Sequence, residues 1–247
     1  MIRMDINCDL GESYEAFLTG RDEEILDYVT SINIACGYHA GDHSIMHQTV
    51  RHAIGKNVHI GAHPGYPDRE GFGRRDMAFS PAEIYDMIVY QVGALQAYVH
   101  IEKGTLHHVK PHGALYNQSA NDREKASAIV HAVYDLDPQL ILYCLAGSQM
   151  AEIARGKGLQ VYEEVFSDRR YHSDGTLVSR QEPNALIQTD EEMLEHVKGI
   201  FMANEVLSVQ SQKIKIAAHT LCIHGDGPHA LDFAKKIAAL RKQLPQQ

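Results

Sequence analysis

The chain has 247 residues, 44% of them hydrophobic, with a formal net charge of −9 and a pI of about 5.9. That supplies a large core and excludes a disordered chain. The acidic balance argues against nucleic acid or an anionic membrane as the main partner, and no run of about 18 apolar residues is present to span a bilayer.

Residues 4–9 alternate, with Met4, Ile6, Cys8 and Leu10 on one face and Asp5, Asn7 and Asp9 on the other. This predicts a first strand ended by Gly11 and Glu12. A helix is expected near 21–29, with Ile25, Leu26 and Val29 as its apolar stripe. Residues 31–37 form a second strand, with Ile32, Ile34 and Cys36 opposite Asn33, Ala35 and Gly37. Asp42 is the expected N-cap of a helix closed by Gly55. A third strand covers 57–63. The connection 64–75 is rich in glycine and proline and ends in Arg74-Arg75, the composition of a mobile, ligand-covering loop or of an ordinary surface one.

Ser80-Pro81-Ala82-Glu83 carries an N-cap serine, proline at the first helical position and glutamate two residues on, a capping box opening a helix to about 103. Residues 106–112 predict a fourth strand in which His108, Lys110 and His112 share one side. A lysine there either snorkels to solvent at the strand end or has partners and a task. Asp122 opens the next helix. Residues 140–145 are an apolar fifth strand, 147–156 a short helix, and 160–166 a sixth strand with Glu164 and Phe166 in phase. An irregular segment, 168–189, follows, then a helix over 190–206. The last strand is expected over 217–225, with Thr220, Cys222 and His224 in phase, and a final helix after Asp226.

Seven strands alternating with helices, without a linker, repeat or low-complexity segment, predict a single α/β domain over 1–247 with a parallel sheet. An open doubly wound sheet lies under helices on both faces and has two apolar parities. Here one parity is apolar and the other polar or small, so the expected fold is a seven-stranded parallel (β/α) barrel. Cys8, Cys36, Cys144 and Cys222 form no Cys-x-x-Cys pair and fall in apolar runs. With no signal-peptide pattern at the start, they read as reduced thiols of a cytoplasmic protein.

Barrel chemistry sits at the carboxyl ends of the strands. The residues collected there are Asn7, Asp9, Glu12, Asn33, His39, His63, Lys110, His112, Glu164, Asp168, Arg169, His224 and Asp226. Carboxylate beside histidine suits acid–base activation of water, and lysine suits a developing oxyanion, a phosphate or a carboxylate. No Gly-x-Ser-x-Gly elbow, P-loop or Gly-x-Gly-x-x-Gly fingerprint occurs, so water is preferred to an acyl-enzyme, and any ATP is bound without a P-loop. A divalent metal on Asp9, His39 and His63, with His43 and His224 as further donors, stays open beside a metal-free site.

The segments Asp5-Ile-Asn-Cys-Asp-Leu-Gly-Glu12, Asn33-Ile-Ala-Cys-Gly-Tyr-His-Ala-Gly-Asp42, Gly61-Ala-His-Pro-Gly-Tyr-Pro-Asp68, Gly71-Phe-Gly-Arg-Arg75, His108-Val-Lys-Pro-His-Gly-Ala-Leu-Tyr-Asn117, Asp174-Gly-Thr-Leu-Val178 and Cys222-Ile-His-Gly-Asp226 together resemble the LamB/YcsF family. The resemblance runs from Asp5 to the last helix. His43 departs from the proline usual in the second motif, which weakens a His39/His43 metal pair, and Tyr38 stands where phenylalanine is common.

The resemblance implies a barrel of the glycoside hydrolase/deacetylase type. It also implies ATP-dependent opening of 5-oxo-L-proline to L-glutamate with two further subunits, B and C, with ATP handled together with those subunits. On that basis Asp9, His63, Lys110, His112, His224 and Asp226 are the expected catalytic residues. Asn7, Glu12, Asn33, His39, Arg74, Arg75, Tyr116, Glu164, Asp168 and Arg169 are the expected substrate-binding ones. A stand-alone metal-dependent amidohydrolase or deacetylase, and a non-catalytic subunit of a lactam-utilisation complex, are the competing expectations.

Overall fold

The structure is a computed structural model that describes residues 4–13, 22–180, 182–223 and 230–243. Its centre is a closed barrel of seven parallel strands: β1 (Asp5–Leu10), β2 (Ser31–Ala35), β3 (His59–His63), β4 (Leu106–Val109), β5 (Ile141–Leu145), β6 (Gln160–Phe166) and β9 (Thr220–Ile223), with β9 closing against β1. Around it run α1 (Asp22–Ile25), α2 (His43–Gly55), α3 (Pro81–Ile101), α4 (Gly113–Asn121), α5 (Arg123–Leu136), α6 (Gln149–Lys157), α7 (Asp190–Ala203) and α8 (Ala230–Gln243). The expected seven-stranded (β/α) barrel is the observed fold. Among the described residues no helix is long and apolar enough to cross a membrane.

The two strand parities explain the closure. Ile6, Cys8, Leu10, Ile32, Ile34, Val109, Leu142, Val165, Leu221 and Ile223 point outward and join one core with the helices. The other parity fills the barrel with hydrogen-bonded polar groups, which buried polar atoms require. Asp5 Oδ2 accepts from Ser31 Oγ and Thr220 Oγ1, both at 2.7 Å, and from the Tyr143 hydroxyl at 3.0 Å. One layer up, Asn7 Nδ2 donates to Thr220 Oγ1 at 2.7 Å and to Glu164 Oε1 at 2.9 Å. Asn33 Nδ2 donates to Asn7 Oδ1 and Asp9 Oδ1, each at 2.8 Å. The His108 ring stacks on Tyr143 at 3.9 Å and bonds Asn33 Oδ1 at 2.7 Å. Gly61 makes room for it: a Cβ there would sit 2.1 Å from His108 Nε2.

Several helix starts are where the sequence puts them. Asp42 accepts from the Ser44 and Ile45 amides, Ser80 and Glu83 form the full capping box, and Asp122 caps α5. Three features differ from expectation. Residues 113–121 are helical, and a hairpin of β7 (Glu205–Leu207) and β8 (Lys213–Lys215) stands between α7 and β9. The third is connection 64–75, which is tied down. Gln91 of α3 bonds both the amide and the carbonyl of Gly65, Asp68 accepts from Gly71 N and Arg75 Nε, and Arg69 reaches the Gly37 and Gly41 carbonyls.

Candidate active site

The strand ends open into a cavity of about 820 Å3 lined by Asp9, Glu12, His63, Lys110, His112 and Tyr116, with Arg74, Arg75, Arg169 and Arg180 among its other walls. Its apolar side includes Tyr116, Ala120, Leu145 and Phe166, which pack with the buried Cys222 in one cluster built by α4 and three strands.

Lys110 follows β4 and ends on the cavity floor, 3% exposed. Its ammonium lies 2.9 Å from both Asp9 Oδ1 and Glu164 Oε1, 3.3 Å from Asn7 Oδ1 and 3.2 Å from Cys222 Sγ. Burial works to neutralise the lysine, but the adjoining Asp9 and Glu164 carboxylates outweigh it and hold the pKa well above the usual range. The side chain is therefore a fixed, buried positive charge and not a snorkelling one. Tyr116 and Glu164 are neighbours, yet neither the Tyr116 hydroxyl nor Glu164 Oε2 completes a hydrogen bond of normal length.

Beside this lies a histidine cluster. Glu12 Oε1 is 3.2 Å from His39 Nε2, 3.5 Å from His112 Nδ1 and 3.9 Å from His63 Nε2. His63 Nε2 is 3.4 Å from Asp9 Oδ2 and 2.9 Å from His112 Nδ1. The outer nitrogens meet backbone carbonyls: His63 Nδ1 is 2.7 Å from the Lys110 oxygen, and His112 Nε2 is 2.8 Å from the Phe72 oxygen. The His39 ring lies flat on His112, with centroids 3.7 Å apart and planes 3° from parallel. Burial, reinforced by neighbouring imidazoles, holds His39 and His112 well below the usual histidine pKa. The ligand atoms of Glu12, His39, His63 and His112 all lie within 4.8 Å of one another, a set able to hold a metal ion.

Loop 64–75 completes the cluster. Phe72 adopts a left-handed φ of 54°, Gly73 follows at 65°, and a Cβ on Gly73 would stand 2.8 Å from both His39 and His112. Backbone this close to two imidazoles needs glycine.

The LamB/YcsF family model matches residues 4–246. The chain belongs to the LamB/YcsF family. A Bacillus licheniformis protein, named as one of the subunits of 5-oxoprolinase, is 54% identical over 237 residues, 96% of this chain and 94% of that one. A Bacillus subtilis (strain 168) protein of the same name is 52% identical over 244 residues, covering 99% and 94%. The crystal structure of a lactam utilization protein from Thermus thermophilus superposes with a TM-score of 0.92 at 42% identity, covering 98% of this chain and 97% of that one.

In this LamB/YcsF chain the structure brings Asn7, Asp9, Glu12, Asn33, His39, His63, Lys110, His112 and Glu164 into one continuous buried network. Tyr116, Arg74, Arg75 and Arg169 stand around the cavity. Arg75 is mostly exposed and paired with Asp68, whereas Arg169 is buried and donates to the Val178 carbonyl at 2.6 Å. Burial lowers the Arg169 guanidinium to about 10. Asp168 does not line the cavity, and its carbonyl accepts from Ile187 N. His43 is exposed at the first position of α2, apart from the histidine cluster. His224 and Asp226 lie outside the described residues.

Sequence reasoning misses Phe72 and Cys222. Cys222 is signalled by its phase with Thr220. Phe72 acts through a carbonyl and a backbone twist, which no side-chain pattern announces.

Proposed function

We propose that this chain is the lactam-opening component of a 5-oxoprolinase, converting 5-oxo-L-proline to L-glutamate with hydrolysis of ATP, in a complex with two further subunits, B and C. The observation that carries the reading is Lys110, a permanent cation buried between Asp9 and Glu164 on the cavity floor, with the Asp9–His63 pair beside it. The names of the similar relatives support it.

A five-membered lactam is a stable amide and a poor electrophile. Phosphorylation of its carbonyl oxygen at the expense of ATP makes the ring carbon electrophilic. Water then adds to that carbon, the ring C–N bond breaks with a proton delivered to nitrogen to leave a glutamyl acyl phosphate, and a second water hydrolyses the acyl phosphate to the carboxylate and phosphate. Asp9, coupled to His63, takes the proton from the attacking water. Lys110 meets the negative charge that develops on the phosphate or the tetrahedral carbon's oxygen. Arg169 and Arg74 hold the substrate carboxylate at the cavity wall, the recognition for which a guanidinium fork is suited. The chain contains no P-loop, so ATP is handled together with the partner subunits.

The test is 5-oxoproline-dependent release of glutamate and phosphate, measured with this chain alone and with its partners added. Negligible turnover alone and full turnover in the complex is the expected result. Rapid ring opening by the isolated chain without ATP would replace this reading with a stand-alone amidohydrolase.

A further inference from the structure

The hydrogen-bond directions inside the histidine cluster do not close. The Lys110 and Phe72 carbonyls can only accept, so His63 carries its proton on Nδ1 and His112 carries its own on Nε2. The nitrogens that then face each other, His63 Nε2 and His112 Nδ1, are both bare lone pairs, and they sit 2.9 Å apart. Two acceptors at that distance repel unless a cation lies between or beside them. Outer N–H groups anchored on carbonyls, with inner lone pairs convergent, are also how proteins orient metal-binding histidines.

We infer that His63 Nε2, His112 Nδ1 and Glu12 form a binding site for one divalent transition-metal ion, open to the cavity. Donors at about 2.1 Å from a tetrahedral ion stand about 3.4 Å from one another. The separations present are 2.9 Å between the two imidazoles, and 3.5 and 3.9 Å from Glu12 to His112 and His63. All three residues line the cavity, so a ligand reaches the ion from that side. Mixed imidazole and carboxylate donors suit zinc, manganese, iron or cobalt over calcium or magnesium.

His39 is not a ligand in this arrangement. Its ring lies parallel on the face of His112, and two parallel rings cannot both aim in-plane lone pairs at one ion. Its Nδ1 is buried with no hydrogen-bond partner, so the proton sits on Nε2 and is donated to Glu12 Oε1. His39 is thus a positioning residue that fixes Glu12 and braces the His112 ring.

The site is independent of the lactam reading and is tested without lactam, ATP or partner subunits. The full chain is stripped with a chelator, dialysed and titrated with Co2+, following visible absorption and heat. One equivalent per chain is expected, with the intense bands of low-coordinate cobalt and a higher thermal midpoint. Zn2+ then displaces the colour. The His63→Gln/His112→Gln double variant raises the Co2+ Kd by more than about 100-fold, and His39→Phe, which removes only the orienting bond, by about 10–100-fold. His43→Ala, at an exposed position, leaves binding unchanged. A wild-type chain that takes up no stoichiometric ion and gains no thermal stability overturns the inference. So does a cobalt spectrum that survives in the double variant. If the double variant does not fold, the wild-type titration and its thermal shift decide the matter alone.

Discussion

Lys110 is an expensive residue to bury, and the barrel offsets that cost with two carboxylates, an amide oxygen and a thiol arranged around its ammonium. Removing the charge leaves Asp9 and Glu164 facing each other without a cation. Lys110→Met is expected to destabilise the chain by about 3–5 kcal/mol, and to abolish 5-oxoproline-dependent phosphate release in the reconstituted complex. The measurement is turnover alongside a denaturant melt. A folded variant with full activity would remove lysine from the chemistry. Cys222 presents the opposite case. A thiol 3.2 Å from an ammonium looks like an activated nucleophile. Burial is the larger effect, however, and it raises the Cys222 pKa well above the ordinary thiol value despite Lys110. Cys36 is pushed up to about 12 for the same reason, and all four thiols are buried. Iodoacetamide is therefore expected to label no cysteine in the native chain at neutral pH and all four in urea, read by mass spectrometry. Rapid native alkylation of Cys222 would show a thiolate and reopen nucleophilic catalysis.

At the scale of elements, strand parity carries most of the site. Asn7, Asn33, His63, Lys110 and Glu164 occupy the polar phase of their strands, which is why the sequence alone collects them. The parity does not tell which of them touch. The 2.9 Å approach of His63 to His112 depends on a register shift between β3 and β4 at Ile60/Gly61 and on the backbone twist at Phe72 and Gly73. Neither follows from hydrophobic pattern. Helix starts are legible where a side chain caps them, as at Asp42, Ser80 and Asp122. Helix α4 is not: His112 makes no capping bond and Gly113 opens the helix at a φ of 56°, so residues 113–121 carry no start signal. The β7–β8 hairpin has three-residue strands and a turn with Ser211 at a φ of 60°, a position where glycine is the usual marker. In the sequence Gly61 is only a small residue in phase with His63, yet in the fold it is the clearance for His108. Gly61→Ala forces a methyl into a ring already held by Asn33 and Tyr143. A loss of about 3 kcal/mol or more is expected, seen as a midpoint about 6–12 °C lower in thermal unfolding. A variant as stable as wild type would mean that the His108 layer yields easily.

For the whole molecule, closing the barrel turns the polar strand ends toward one mouth, and a short acidic helix is tied to the end of β1. Asp22 begins α1 and accepts the Gly11 amide at 2.8 Å, just where β1 gives way to Glu12. Burial raises its carboxyl from 3.8 to about 6, against the pull of the Gly11 hydrogen bond. The folded chain therefore binds this proton more tightly than the unfolded chain does. Between pH 4 and 6 the native state holds more protons, so the slope of unfolding free energy against pH is negative for this group. Its contribution is most favourable below the unfolded value near 4 and is lost as pH rises through about 6. A shift of roughly two units corresponds to about 3 kcal/mol over that window. Asp22→Asn keeps an oxygen for Gly11 and removes the titration. Urea unfolding of both chains across the window isolates the effect, because the other carboxylates are common to the two. The variant is expected to match wild type near pH 4 and to exceed it by up to about 3 kcal/mol at pH 7. A difference that stays flat with pH would mean that Asp22 ionises in the folded chain as readily as in the unfolded one, with β1 and α1 meeting through solvent instead of a buried carboxyl.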